Sequence, residues 1–372
     1  MGWGQIGWVL FLAGLPLSHF LTKAMDLWHT QAMWADLWVG LLFLSSLMVG
    51  IKIRPNRPLG AWAIWVFLNV GWLWHILFIS KDIYPLPLLM PTLHLLTILL
   101  FWIAASAWDI PQVERLMTWV ARIAVVVSFY GLLQCLNLDQ FFADRDLSNH
   151  KDALVGTIGN SSHFATYLAL TLPVMLIQRG KVWKGLVGLN MVLLLLTKSI
   201  SGQFAAFCGL VWMAWHLHRR WLWGLGLVGL IALGYVWCHH DVINPHGRLA
   251  AWKVFFTLFH MKPITGFGPG FILELSKQIP SDSPIFQWRH VHNEPFQVAL
   301  EQGVIGLGLM GWAVWESWAK VWRAQKTPLL IALSAMWLVF LLNSLTNFPG
   351  HLWMLSSLGL LAYCGIHTLT ES

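Results

Sequence analysis

The sequence contains few charged residues. Of its 372 residues, only 10% are Asp, Glu, Lys or Arg, whereas 57% are hydrophobic. A water-soluble domain needs polar residues to cover its surface, and a disordered chain combines high charge with low hydrophobicity. Both classes are therefore excluded. The 4 cysteines are too few for a disulfide scaffold and have no metal-knuckle spacing, and we find no internal repeat or low-complexity tract. The composition is that of a polytopic membrane protein.

Long apolar stretches are abundant. A helix needs about 20 apolar residues to cross roughly 30 Å of hydrocarbon, and about twelve stretches approach that length. The 26 tryptophans fit this class, because Trp concentrates at membrane interfaces. We predict an all-α polytopic membrane protein, with a single membrane domain over 1–372 and one long, partly helical loop at 239–295. The candidate spans are 5–21, 33–51, 59–79, 85–107, 115–136, 160–178, 182–197, 201–217, 221–238, 303–322, 328–346 and 350–368.

The basic residues predict the orientation, because Lys and Arg accumulate in cytoplasmic loops. The larger set follows the even-numbered spans: Lys52, Arg54, Arg57, Arg115, Arg179, Lys181, Lys184, Arg219, Arg220, Lys320, Arg323 and Lys326. The smaller set follows the odd-numbered spans: Lys23, Lys81, Arg145, Lys151 and Lys198. Both termini are thus predicted in the cytoplasm. The loop at 239–295, between spans nine and ten, is predicted outside, with a helix from Arg248 that Pro263 stops.

Several polar motifs interrupt the second half of the chain. They are GTIGNSSHFA at 156–165, LTKSISG at 196–202, GRLAAW at 247–252 with KPITGFGPGF at 262–271, HNEPFQ at 292–297 with LEQGVIG at 300–306, and NFPGH at 347–351. Together, and in this order, they resemble the O-antigen ligase and polymerase family of bacterial polysaccharide assembly. The resemblance covers about 150–370. It marks as motif residues Gly159, Asn160, Gly266, Gly268, Glu301 and Gly303.

Two positions depart from the family pattern. Ser162 stands where the family often has Asn, and the second motif has Lys198 in place of the usual Arg. Lys is a point charge without the paired donors of Arg, so any phosphate contact there differs from that in relatives.

The resemblance implies an enzyme of the bacterial inner membrane that needs no cofactor. Its donor is an undecaprenyl-diphosphate-linked glycan, and its acceptor is a hydroxyl of lipid A-core or of a second glycan. These acceptors distinguish an O-antigen ligase from a polymerase, and the sequence leaves both open. A protein acceptor is less favoured, because no further domain follows the last predicted span. Membrane lipid is the surrounding partner, and no nucleic acid is implied.

His292 and Arg248 are the predicted catalytic residues. An imidazole with an ordinary pKa near 6.5 can take a proton from a sugar hydroxyl, and a guanidinium offers paired donors to a diphosphate. The alternatives are an interfacial histidine and an arginine that snorkels to water. Weaker predicted diphosphate-binding residues are Arg289, Lys198, Asn293 and His290.

Two other functions are alternatives to glycan transfer. A metal site could be formed, with either Asp241 or Glu294, by the histidines His239, His240, His246, His290 and His292. No pair of them has the spacing of a zinc hydrolase, so no metal is predicted. A membrane transporter would suit the number of spans. However, the middles of the spans are poor in charged residues.

Arg122 in the fifth span lies near its cytoplasmic end and is predicted to be structural.

Overall fold

The protein is helical throughout the part described by the computed structural model, which has no strand there. The described residues are 3–17, 38–39, 101, 103, 105, 108–139, 154–227, 229, 248–276, 279, 283, 285 and 288–371. The predicted spans 33–51, 59–79 and 85–107 lie almost entirely outside this part, as does most of 221–238.

We number the longer described helices α1 to α10. They are α1 Trp3–Leu17, α2 Ile110–Cys135, α3 Ser161–Leu176, α4 Lys181–Leu196, α5 Ile200–Leu217, α6 Arg248–Met261, α7 Phe271–Leu275, α8 Glu294–Arg323, α9 Pro328–Ser344 and α10 Trp353–Glu371. Single 3₁₀ turns form at Gly156–Ile158 and Pro349–His351. Among the described helices, α2, α5 and α8 are long and apolar enough to cross a membrane. The helical membrane class is therefore confirmed, and the number of twelve spans stays a prediction.

Capping residues set where these helices begin. The Asp109 carboxylate accepts from Gln112 N, and the Gln112 side chain bonds back to the Asp109 N–H, forming a capping box with Pro111 in the first turn. Helix α2 therefore starts five residues before the predicted span. Helix α8 starts at Glu294, also earlier than its predicted span at 303–322, because Asn293 caps it.

Helix α3 lies at the centre of the bundle and packs against α2, α4, α5, α9 and α10. Its side chains are buried all round, as expected of a helix inside a bundle. Small residues bring α5 close to its neighbours. A Cβ on Gly202 would lie 2.6 Å from the Ala165 Cβ, and one on Gly209 would lie 2.8 Å from Val339. This close helix packing fixes the ends of α3, α5 and α9 relative to one another.

The opposite end of the bundle carries tryptophan and basic side chains. Trp212 packs edge-on against Trp318 and Trp322, and Lys320 pairs with Glu316 and Glu371. These contacts join α5 to the last turns of α8 and join α8 to the end of α10. The predicted site residues Lys198, His292 and Asn293 lie beside the other ends of α5 and α8.

Candidate active site

One short segment between α9 and α10, residues 345–351, receives contacts from distant parts of the chain. Asn293 Nδ2 donates to the Leu345 carbonyl at 2.9 Å, and Arg248 Nη1 donates to the Thr346 carbonyl at 2.6 Å. Two predicted site residues from separate motifs are therefore held on neighbouring peptide groups.

The turn between α4 and α5 reaches the same segment. Asn347 is buried, and its Nδ2 donates to Ser201 Oγ at 3.3 Å; Ser201 Oγ in turn lies 3.3 Å from Ser199 Oγ. Lys198 begins this turn with a φ of +57°, and its side chain is exposed. In the contacts described, Ser201 of the second motif meets the segment, and Lys198 does not.

Phe348, at the middle of the segment, is surrounded by histidine rings. His290 stacks on it with ring centroids 4.3 Å apart, and His292 meets it edge-on at 4.8 Å. His163, from the first turn of α3, meets it edge-on at 5.3 Å. The structure thus brings His290 and His292 into one aromatic cluster, together with a histidine that the sequence did not single out as a site residue.

The backbone around His292 is fixed on both sides. His292 has a φ of +55°, a left-handed conformation that non-glycine residues seldom adopt. The next residue, Asn293, accepts from Phe296 N at 2.9 Å and so starts α8. The preceding carbonyl, of Val291, accepts from Trp252 Nε1 at 2.9 Å. Trp252 lies one helical turn after Arg248 on α6, so the third motif positions the fourth.

The first motif positions His163. Asn160 Oδ1 accepts from the N–H groups of Ser162 and His163, at 2.9 and 3.2 Å, and caps α3. Gly159 precedes it with a φ of +77° and ends the 3₁₀ turn. Because an N-cap Asn satisfies free N–H groups at a helix start, Asn160 has a structural role here.

The charged and histidine groups differ in their surroundings. Arg289 is exposed, and none of the described contacts joins it to 345–351. Burial lowers the pKa of Arg248, although a guanidinium still stays charged at neutral pH. Burial and the nearby His351 and His292 lower the pKa of His290 well below its ordinary value, so this ring is neutral.

A buried polar network links the start of α8 to the 3₁₀ turn at Pro349–His351. Glu294 Oε1 accepts from Gly350 N at 2.7 Å, and Glu294 Oε2 lies 3.0 Å from His351 Nδ1. Gln297 Nε2 lies 3.1 Å from His351 Nε2 and donates to Glu301 Oε1 at 3.2 Å. Glu301, predicted as a motif residue, belongs to this network.

Sequence reasoning missed His351 and Gln297 as site residues. Both residues belong to motifs of the sequence, NFPGH and HNEPFQ. Their contacts could not be predicted from neighbouring residues, because Glu294 and His351 are 57 positions apart. The predicted start of a span at 350 also placed His351 within the membrane segment, whereas α10 begins at Trp353.

The fourth motif contains a break in α8. Gly303 has a φ of +68° and a ψ of −166°, far from helical values. The groups freed by the break pair with the glycine-rich segment that follows α6. Val304 N donates to the Pro263 carbonyl, and Gly268 N donates to the Glu301 carbonyl, each at 2.8 Å. The segment that contains the motif residues Gly266 and Gly268 therefore supplies the hydrogen-bond partners of the broken helix.

Only glycine fits where these two backbones meet. A Cβ on Gly266 would lie 2.4 Å from Gln302 N, and a Cβ on Gly303 would lie 2.0 Å from the Ile264 carbonyl oxygen. Both distances are far shorter than a nonbonded contact. The third and fourth motifs thus form one structural unit. The absence of a Cβ at each glycine allows the two backbone segments to approach each other.

Within the described residues, no group of three His, Cys, Asp or Glu side chains could hold a metal ion. The alternative metal ligands His239, His240, Asp241 and His246 lie outside that part of the chain. The site among the described residues therefore consists of an arginine, several histidines, two carboxylates and amide groups.

These features define a helical membrane protein with a polar site at one end of its bundle. Residues 185–311 match the O-antigen ligase family. The match runs from α4 into α8 and contains Arg248, the glycine-rich segment, His292 and Gly303. It confirms the resemblance seen in the motifs.

No curated protein matches the chain. The family match supports a glycosyltransferase-like membrane protein of O-antigen ligase or polymerase type. The family implies lipid-linked glycan and polysaccharide substrates in the bacterial inner membrane.

Proposed function

We propose that this chain transfers a glycan from undecaprenyl diphosphate to an acceptor hydroxyl at the periplasmic face, as an O-antigen ligase does. The observation that carries the proposal is the convergence of the family's motifs on residues 345–351. Arg248 and Asn293 contact this segment directly, and the His292 ring packs on its Phe348.

Arg248 is proposed to hold the donor diphosphate. Among the described contacts, the guanidinium donates through Nη1 to the Thr346 carbonyl. A guanidinium has five N–H donors, so further donors can reach a ligand. These donors match the paired oxygens of a diphosphate. The polyprenyl tail would stay in lipid while the diphosphate lies at the membrane surface. Arg289 and Lys198 are exposed, and we propose for them at most a weaker, long-range attraction of the donor.

His292 is proposed to be the general base. In one displacement, the acceptor O–H bond breaks and its proton goes to His292. The acceptor oxygen then bonds to the anomeric carbon, and the bond from that carbon to the diphosphate breaks with its electron pair on the leaving oxygen. A single in-line displacement inverts the anomeric carbon, and it requires no divalent ion in this scheme.

The acceptor separates two forms of this function. Purified protein in liposomes would be given a labelled lipid-diphosphate glycan with either lipid A-core or a second lipid-linked glycan. We expect one glycan to appear on lipid A-core. A ladder of longer lipid-linked glycans would instead identify a polymerase, the alternative in the same family.

The same liposomes test the alternative of a transporter. A transporter moves the labelled glycan across the bilayer and makes no new glycosidic bond. Flux of unchanged donor without any product, at a rate lost on removal of the protein, would contradict the transferase.

The proposed orientation gives a separate prediction. Both termini are placed in the cytoplasm and the 239–295 loop outside, because the basic residues follow the even-numbered spans. In a cysteine-free background, Thr257→Cys on α6 and Gln325→Cys between α8 and α9 should label from opposite sides with an impermeant thiol reagent. Both native side chains are exposed. Labelling of both from one side would contradict the orientation.

A further inference from the structure

The side-chain amide of Gln297 contacts the segment that leads into His292. Gln297 lies one helical turn after Asn293 on α8 and is buried. Its Oε1 accepts from Val291 N at 3.2 Å, and its Nε2 donates to Glu301 Oε1 at 3.2 Å. These two partners fix the direction of the amide, because a reversed amide would place its NH₂ against an N–H group and its oxygen against a carboxylate. Gln297 is therefore oriented to hold the residue before His292.

The NH₂ group of the same amide faces two histidine rings. It lies 3.4 Å from His290 Nδ1 and 3.1 Å from His351 Nε2. The His290 ring stacks on Phe348, and the His292 ring meets the same phenyl ring edge-on. Gln297 thus contacts both of the residues that directly precede His292, and one of them shares the Phe348 ring with it.

The carbonyl of Val291 is held from α6. Trp252 Nε1 donates to it at 2.9 Å, and Val291 is fully buried. Gln297 and Trp252 therefore satisfy the N–H and the carbonyl of one buried residue, and loss of either would leave a buried polar group without its partner. His292 follows directly with a φ of +55°. A side-chain-bearing residue keeps such a conformation only where the surrounding structure holds it.

We infer that Gln297 is a positioning residue of the transfer, which holds the backbone before His292 so that the imidazole stays beside Phe348. The inference rests on the proposed function, in which His292 is the general base. A base must lie within hydrogen-bond reach of the acceptor hydroxyl, and a displacement of about 1 Å can lower a rate about 10²-fold. Trp252 shares this role through the Val291 carbonyl. Both side chains act through His292 and need not touch a substrate.

The kinetics of transfer test this inference. Gln297→Met removes the amide and keeps a side chain of similar length. We expect kcat to fall by about 10²-fold while the KM for the lipid-linked donor stays unchanged, because Arg248 still holds the diphosphate. Trp252→Phe removes the indole N–H and keeps an aromatic ring, so kcat should fall there too without a change in KM. An unchanged kcat in Gln297→Met, or a raised KM alone, would overturn the inference.

A double-mutant cycle separates positioning from a general structural effect. His292→Asn lacks the imidazole, so Gln297 has no base left to position. Added to His292→Asn, Gln297→Met should change the residual transfer by less than about twofold, within the error of such cycles. A loss of the same size with and without His292 would overturn the inference while the proposed function stands. Wild-type transfer by His292→Asn alone would instead contradict the proposed base.

Matched controls make the same changes at exposed positions. Gln325→Met lies between α8 and α9, and Trp315→Phe lies on α8. We expect the wild-type kcat and KM from both. Binding of the labelled donor by Gln297→Met and by Trp252→Phe should match that of the wild-type protein. Loss of donor binding in both variants would show a structural role and overturn the inference.

Discussion

Replacement of His292 is expected to lower glycan transfer by about 10²–10⁴-fold, the usual contribution of a general base, while donor binding survives. The Arg248 guanidinium is held by the Thr346 carbonyl and makes no described contact with the His292 ring, so the diphosphate contacts should persist. Raising the pH should not restore transfer, because a sugar hydroxyl stays protonated far above any usable pH.

Two variants of His292 make this test independent of folding. His292 has a φ of +55°, and Asn tolerates this conformation better than Ala does. His292→Asn should therefore fold like the wild-type protein and still lack a base, and His292→Ala should lose transfer equally. His260→Ala, at an exposed position of α6, is the control with unchanged transfer. Wild-type rates in His292→Asn would show that this histidine is only interfacial.

Gly303→Ala is expected to destabilise the folded protein by about 3 kcal/mol or more. The φ of +68° and ψ of −166° lie in a region that is essentially restricted to glycine, where strain costs about 1–3 kcal/mol. The new Cβ would also lie 2.0 Å from the Ile264 carbonyl oxygen, so the paired backbones must separate. The melting temperature of the detergent-solubilised protein should fall sharply, together with its yield.

The same helix offers a control for this effect. Gly308 lies in the helical part of α8 after the break, and a Cβ there meets nothing within 4 Å. Gly308→Ala should leave the melting temperature unchanged or slightly raised, because Ala favours helix over Gly. Equal melting temperatures for Gly303→Ala and Gly308→Ala would contradict the role of the break.

The membrane class and many of the helix positions follow from local patterns. Apolar runs of sufficient length predict α2 and α9, and the N-cap at Asp109 explains why α2 begins before its hydrophobic run. The sequence predicts a helix from Arg248, and α6 begins there. Such features depend on neighbours in sequence, so they can be read without the fold.

The connections within the site depend on distant residues. Gly266 and Gly268 are motif residues of the sequence, but nothing in their spacing shows that their segment pairs with the break at Gly303. Likewise, His292 could be chosen from its motif, whereas the ion pair of Glu294 with His351 joins positions 57 residues apart. Hydrophobic periodicity carries no information about such polar contacts.

The measurement that tests the central claim most directly is the stoichiometry of transfer by purified protein. The labelled donor and acceptor would be incubated with excess chelator and without nucleotides. The account predicts that one new glycosidic bond, with inverted configuration at the anomeric carbon, forms for each lipid diphosphate released. Release of lipid diphosphate without a matching bond, or a bond formed only after a metal ion or nucleotide is added, would contradict it.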